Sequence, residues 1–370
     1  MTNRLLDKQV IFFAVVTCAM VGMVLFGLHR NEGARGEYFI PARVVDVVED
    51  MTSLNEAGAR VGTQIVNVRL LSGPRRGDIV EAANRLFPIE HAAYAQVGQR
   101  LLVFYSDGFA HVQSYDRSFA IYGVVLGFFV LLGLVFGKAG IKSAFGLVFT
   151  FVVIIFLLLP LIISGAPPAL VTVGLSLCII AVSLISIMGF GEKTWVSIAG
   201  SALGIVFYSL FYLLISALLR ITGFNVQEVD LLILAGLGTG VSELLFCAIL
   251  IASLGALMDV AVSLASVTAE LSGKTVEFKP LFGSAMKVGR DIIGSSSNTL
   301  ILAFTGSFFV MLILFNVHNT QYAVLINRTD IAIEVLRAVS ATAAMVLCAP
   351  ATAFIGAHVF TAKNTSKKRG

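Results

Sequence analysis

The chain has 370 residues, of which 57% are apolar and only 13% charged, and its mean hydropathy is +0.91. Soluble domains run at about 45–50% apolar and about 25% charged. These values therefore exclude a disordered chain, a nucleic-acid module built on basic stripes and an ordinary cytosolic enzyme, and they make a bilayer the solvent for most residues. The net charge of +4 matters less than its placement: from Glu32 to Asp116 the sequence is polar and mixed, and the rest consists of apolar blocks. Cys18, Cys178, Cys247 and Cys348 all fall inside those blocks, which points to buried inert thiols rather than a disulfide framework.

The first apolar run, Gln9 to Leu28, is longer than the core of a signal peptide and lacks a small-residue cleavage site, so residues 1–29 read as an uncleaved anchor. Residues 30–117 form a polar domain that reads as β. Val66, Val68 and Leu70 alternate with Asn67 and Arg69, and the turn from Gly73 to Asp78 leads into Ile79 to Ala82. Further strands are expected at Ala42 to Val48, Leu101 to Tyr105 and Ala110 to Tyr115, giving a small OB-like or SH3-like barrel. Arg69, Arg75, Arg76 and Arg85 either line an anionic site on it or are surface arginines of a solvated hairpin, and the second reading is preferred.

A helix needs about 20 apolar residues to cross a bilayer. Seven further runs qualify: Phe119 to Phe136, Ala144 to Ile163, Ala169 to Phe190, Trp195 to Leu219, Val241 to Val262, Thr299 to Val317 and Val335 to Phe360. The expected fold is thus an all-α multi-pass bundle of about eight transmembrane helices with one small extracytoplasmic β-barrel-like domain. Residues 118–362 make the membrane domain, and 363–370 a basic tail. With the N-terminus inside, thirteen Lys and Arg residues flank the spans on the inner side, and only Arg220, Arg328 and Arg337 on the outer side away from the barrel. Positive loops stay cytoplasmic, so both termini are placed there. Every lysine falls inside while the outer domain carries arginine alone, a pattern for which the sequence offers no reason. The stretch Leu231 to Leu271 reads as one span preceded by a broken or re-entrant piece near 231–240, marked by Gly236, Gly238 and Gly240.

An ionisable group inside a bilayer costs several kcal/mol, about 2.5–3.5 on insertion scales, and marks function by default. Asp259 is placed near the inner end of the sixth span, with Ser263, Ser266 and Glu270 following at helical spacing on one face. Downstream lie Gly289-Arg290-Asp291 and Ser295 to Thr299, where a helix beginning at the serines would use Asn298 as its cap and aim its positive end at the site. Two readings are open. Asp259, Arg290, Asp291, Asn298 and Thr299 could line a cavity for an ion, proton or small solute, or Asp259 could pair with Arg290 in a polar clamp between helices. Glu243, a secondary candidate, reads as an interfacial residue reaching headgroup water rather than a relay.

Gly255 to Ser266, followed by Gly289-Arg290-Asp291-Ile292-Ile293-Gly294 and Asn298 to Leu302, resembles the YibE/F family of bacterial multi-pass membrane proteins. That resemblance implies a bacterial inner-membrane location and maps the family's motif residues onto Asp259, Arg290, Asp291 and Asn298, without naming a ligand. Gly273-Lys274-Thr275 lacks the preceding glycine of a P-loop, the five histidines have no ligand spacing, and no hydrolase motif occurs. No enzyme, cofactor, metal or nucleic-acid partner is therefore expected. The leading expectation is a transporter or permease seated in the lipid bilayer, with a polar site at the cytoplasmic end of transmembrane helices 6 and 7 for an unknown ion, proton or small solute. The alternative is a non-transporting scaffold or sensor whose outer domain binds an envelope partner.

Overall fold

The computed structural model describes residues 38–222, 241–273 and 277–369, apart from 57, 74, 88–92 and 107, together with residues 13, 16–18 and 20–22. The first apolar run thus lies largely outside the described residues, and the expected break at 231–240 wholly so. The chain divides into two compact units, one holding the strands and the helix that follows them, the other the helices from Phe136 onward.

In the first unit, five strands form a closed barrel: β1 Tyr38–Leu54, β2 Arg60–Leu70, β3 Ile79–Leu86, β4 Arg100–Ser106 and β5 Phe109–Tyr115. Their order is β1-β2-β3-β5-β4, with β4 pairing back on β1 and only β3 and β5 parallel. A five-stranded closed barrel of this kind is the OB-like form of the two expected. Alternation drives it: Ile40, Ala42, Val44, Val66, Val68, Leu70, Ala82, Leu101, Val103 and Val112 point inward and are buried together. β1 is longer than the sequence suggested, because two irregularities between Val44 and Glu49 bend it and let one strand serve two neighbours. Gly62 lies where β2 crosses β1, with φ +126°, and a Cβ there would overlap the carbonyl of Met51. Two buried amides lock one end: Asn84 Nδ2 donates to Gln64 Oε1 (2.9 Å) and to the Ala93 carbonyl (2.7 Å), while the Ala95 amide donates to Gln64 Oε1 (3.0 Å). Helix α1, Ser118–Phe136, follows directly, its first turn capped by Asp116 Oδ1, which accepts from the Ser118 amide (3.1 Å).

The second unit holds α2 Lys138–Ile163, α3 Pro168–Met188, α4 Glu192–Leu218, α5 Val241–Leu271, α6 Phe278–Ser307, α7 Phe309–Val317, α8 Tyr322–Ile326 and α9 Thr329–Arg369. Within α2 a π turn at Ile154–Leu158 precedes Pro160, whose ring and missing N–H disturb the regular ladder. The seven apolar runs after the first all fall on helices. Among the described residues six helices are long and apolar enough to cross a membrane, or seven if α6 and α7, bent by 55° at their junction, count as one span.

The core gathers Ile180 and Leu184 of α3, Ile205, Tyr208 and Tyr212 of α4, Leu250, Leu257 and Leu264 of α5, and Leu336, Met345 and Cys348 of α9. Lipid tails are as apolar as these side chains, so close packing and interhelical hydrogen bonds hold such helices together. Accordingly α4 and α9 meet through small residues: Gly200 lies against Thr352, and Gly204 against Cys348 and Leu257. Tyr208 donates its hydroxyl hydrogen to the Phe246 carbonyl (2.8 Å), tying α4 to α5.

Candidate functional site

Helices α5 and α6 form an antiparallel pair joined by residues 272–277. Two sequence expectations fail here. The stretch between the apolar runs that end at Val262 and begin at Thr299 is not mainly a connection: α6 begins at Phe278, and its first half is amphipathic, burying Leu281, Ala285 and Gly289 at four-residue spacing while Lys279, Lys287 and Arg290 stay exposed. Nor does a helix start at the serines, because Ser295 to Thr299 lie inside α6; Asn298 caps nothing, and no helix dipole ends there. Asp259 lies near the middle of α5, which continues to Leu271.

The contact that sets the register is Leu264 against Gly289, where a Cβ on the glycine would lie 3.1 Å from Leu264 Cδ1. Counting outward at about 1.5 Å per residue in opposite directions, Ser263 lies level with Arg290, Asp259 with Gly294, and Gly255 with Asn298. Asp259, Arg290, Asp291, Asn298 and Thr299 are all exposed, Ser263 and Ser266 are half-buried, and Glu270 is exposed in the last turn of α5. Arg290 and Asn298 are therefore each about 6 Å from Asp259 along the helix axes. Gly255 and Gly294, also exposed, have open space where a side chain would stand. Among the described residues no ion pair joins Asp259 to Arg290, so of the two open readings the clamp lacks its central contact. Thr299 donates its hydroxyl to the Ser295 carbonyl (3.0 Å), a bond within its own helix. The two helices thus expose polar groups of both charge signs at neighbouring depths, with open space at two glycines.

Glu243 lies elsewhere and does something the sequence did not suggest. Its Oε2 accepts from the Ala169 amide (2.9 Å) at the first turn of α3, where Pro168 opens the helix. A carboxylate there satisfies an orphan N–H and complements the helix dipole, so Glu243 joins two helices instead of reaching for headgroup water.

Three features escaped sequence reading. Glu334 and Arg337 fall inside α9, one turn apart, with Arg337 Nη1 3.4 Å from Glu334 Oε1; the sequence signal was their i, i+3 spacing just ahead of the last apolar run. A cavity of about 540 Å³ is lined by Met188, Glu192, Lys193, Thr194, Ser272 and Phe360 among others, where α3 turns into α4 beside the end of α5. Pro350 interrupts the bonding of α9 in its middle. Among the described residues no group of three or more His, Cys, Asp or Glu side chains could hold a metal ion.

A family model described as YibE/F-like protein matches residues 124–362. The chain belongs to the YibE/F-like family. The match starts within α1 and takes in the whole α5–α6 face, while the barrel stands outside it. Comparison with curated proteins and with solved structures finds no match for this YibE/F-like chain.

Proposed function

We propose that this YibE/F-like protein is a permease of the bacterial inner membrane, with both termini cytoplasmic and the barrel on the opposite side. The α5–α6 face forms the polar wall of its path for an ion, proton or small polar solute. One observation carries the reading: Asp259, Arg290, Asp291 and Asn298 are exposed on two long helices at neighbouring depths, beside glycines that leave space open. A charge facing lipid at that depth costs about 2.5–3.5 kcal/mol on insertion scales, so four polar groups there call for water or cargo rather than hydrocarbon. In this scheme Asp259 is the coupling or coordinating carboxylate. Arg290 and Asp291 sit toward one mouth of the path and set its charge selectivity, and the carboxamide of Asn298 lies toward the other. The lysine bias between loops supports the orientation.

The test is flux through the purified full chain in proteoliposomes, read with a pH-sensitive dye and with reporters of alkali cations and halides. Asp259→Asn, inserted and recovered in the same amount, should lower flux at least about tenfold, since it removes the charge at nearly constant shape. Equal flux for the two proteins, or a wild-type chain that passes none of these ions, contradicts the reading for ions. In the second case, deletion of Tyr38 to Tyr115 abolishing the protein's cellular role would favour a scaffold or sensor.

A further inference from the structure

The four barrel arginines singled out in the sequence do not form one site. Arg75 is taken up by Tyr105, donating from Nη1 to its hydroxyl (2.6 Å), and Arg85 is opposite Thr63 on the far part of β3. The strand register instead builds a different set. Arg43 of β1 is directly opposite Arg69 of β2 on one side and Arg100 of β4 on the other. Directly paired residues project from the same face, so three guanidinium groups stand abreast across three neighbouring strands at about 4.5–5.5 Å spacing. Their neighbours Ala42, Val44, Val68, Leu70 and Leu101 fill the barrel, which directs all three arginines outward, and all three are exposed.

Like charges directly opposite destabilise a sheet, so the row is a cost in the absence of an anion. Among the described residues none of the three arginines forms an ion pair or a side-chain hydrogen bond. Carboxylates in register with the row are Asp116, opposite Arg100 with its Oδ1 capping α1, and Glu81 and Asp46, both diagonal to Arg69; none of them forms an ion pair with the three arginines.

The position of the row identifies the anion. The Asp116 amide donates to the Arg100 carbonyl (3.1 Å), and α1, a helix apolar enough to cross a membrane, begins at Ser118. Arg100 is therefore tied to the chain two residues from the start of a helix able to cross the bilayer, with Arg43 and Arg69 one and two strands further away. Phe119 and Tyr122 are exposed in the first turns of α1, as expected of aromatic groups at the headgroup level. Arginine rather than lysine is the residue for this task, since its planar fork binds a phosphate through two parallel bonds.

We propose that Arg100, Arg43 and Arg69 form a headgroup-binding row that holds the phosphates of anionic lipids against the barrel where it meets the membrane. Each basic residue near an anionic surface contributes about five-fold in affinity, so the row supplies on the order of a hundred-fold, with Arg100 contributing most.

The test uses the delipidated full chain in detergent. It is titrated with short-chain phosphatidylglycerol, short-chain phosphatidylcholine and glycerol 3-phosphate, with bound lipid counted by native mass spectrometry. Replacing all three, R43Q/R69Q/R100Q, should lower phosphatidylglycerol affinity on the order of a hundred-fold and leave phosphatidylcholine unchanged. The control R75Q/R76Q/R85Q, of equal charge change, should stay within about three-fold of wild type. R100Q alone, which perturbs the barrel least, should lose about five-fold. Equal losses in the two triple variants, no loss with R100Q, or glycerol 3-phosphate binding as tightly as the lipid would each overturn the proposal.

Discussion

Gly200→Ala isolates what holds the helical unit together. In an isolated helix this change stabilises by about 0.5–1 kcal/mol, because glycine loses more backbone entropy than alanine. Here the sign should reverse. A Cβ on Gly200 would overlap Thr352 Oγ1 and stand 2.9 Å from Thr352 Cβ and 3.1 Å from its Cγ2. Thr352 cannot swing aside freely, since its hydroxyl donates to the Cys348 carbonyl (2.8 Å) and the residue is fully buried. The helices cannot slide apart locally either, because one turn away a Cβ on Gly204 would already meet Cys348 Cβ at 3.3 Å. Overpacking of this kind costs about 1–3 kcal/mol. The assay is the apparent melting midpoint of the full chain in detergent, followed by loss of the monodisperse elution peak. Gly200→Ala should lower the midpoint, and adding Thr352→Ala, which removes the hydroxyl and the methyl, should recover part of the loss. The double-mutant cycle should then give a coupling of at least about 0.5 kcal/mol. A Gly200→Ala protein as stable as wild type, or losses that simply add, would refute close approach of α4 and α9 through small residues.

Two further outcomes follow from individual contacts. Glu243→Ala removes the acceptor of the Ala169 amide and should destabilise the chain by about 0.5–2 kcal/mol, while Glu243→Gln, which keeps an acceptor oxygen, should cost less and leave flux unchanged; loss of flux with intact stability would instead make Glu243 part of the path. In the barrel, the Asp50 carboxylate is held below its ordinary value of 3.8, first by the Thr52 hydroxyl (2.6 Å) and also by Tyr94 and Gln64. A depressed folded-state value contributes stability that is present above pH 3.8 and lost as the pH falls through the folded value. Barrel unfolding followed by tyrosine fluorescence should thus steepen below about pH 4 in wild type and flatten in that window in Asp50→Asn; identical pH profiles would contradict the assignment.

Most of the architecture was legible because its signals are local. The apolar runs after the first were read correctly as helices, and the alternation around Val66 to Leu70 and the turn at Gly73 gave the barrel its second and third strands. What the sequence hid was of two kinds. The first is a helix that changes character along its length: charged Lys279, Lys287 and Arg290 made the first half of α6 look like a loop, although Leu281, Ala285 and Gly289 already kept the helical period. The second is pairing at long range. Nothing local links Glu243 to Ala169, 74 positions away, and Arg43, Arg69 and Arg100 become a row only once β1 is known to pair with both β2 and β4. That row also supplies a physical reason for part of the arginine preference of the barrel, which the sequence left unexplained. The polar candidates on α5 and α6 were named from cost, helical spacing and the family motif, and their exposure, register and lack of an ion pair needed the structure.

Cysteine accessibility tests most directly whether the exposed polar groups of α5 and α6 meet water inside the membrane. With the four native cysteines replaced, single cysteines are placed at Gly255 and Asn298, level with each other and one turn in depth from Asp259, and at Val206 and Leu213, exposed apolar positions of α4. In intact membranes a water-soluble maleimide should label Gly255→Cys and Asn298→Cys and leave Val206→Cys and Leu213→Cys unmodified, because thiols react as thiolates and these form only in contact with water. Gly255→Cys and Asn298→Cys as inert as the α4 controls would mean a face covered by lipid or protein, and no aqueous path along Asp259.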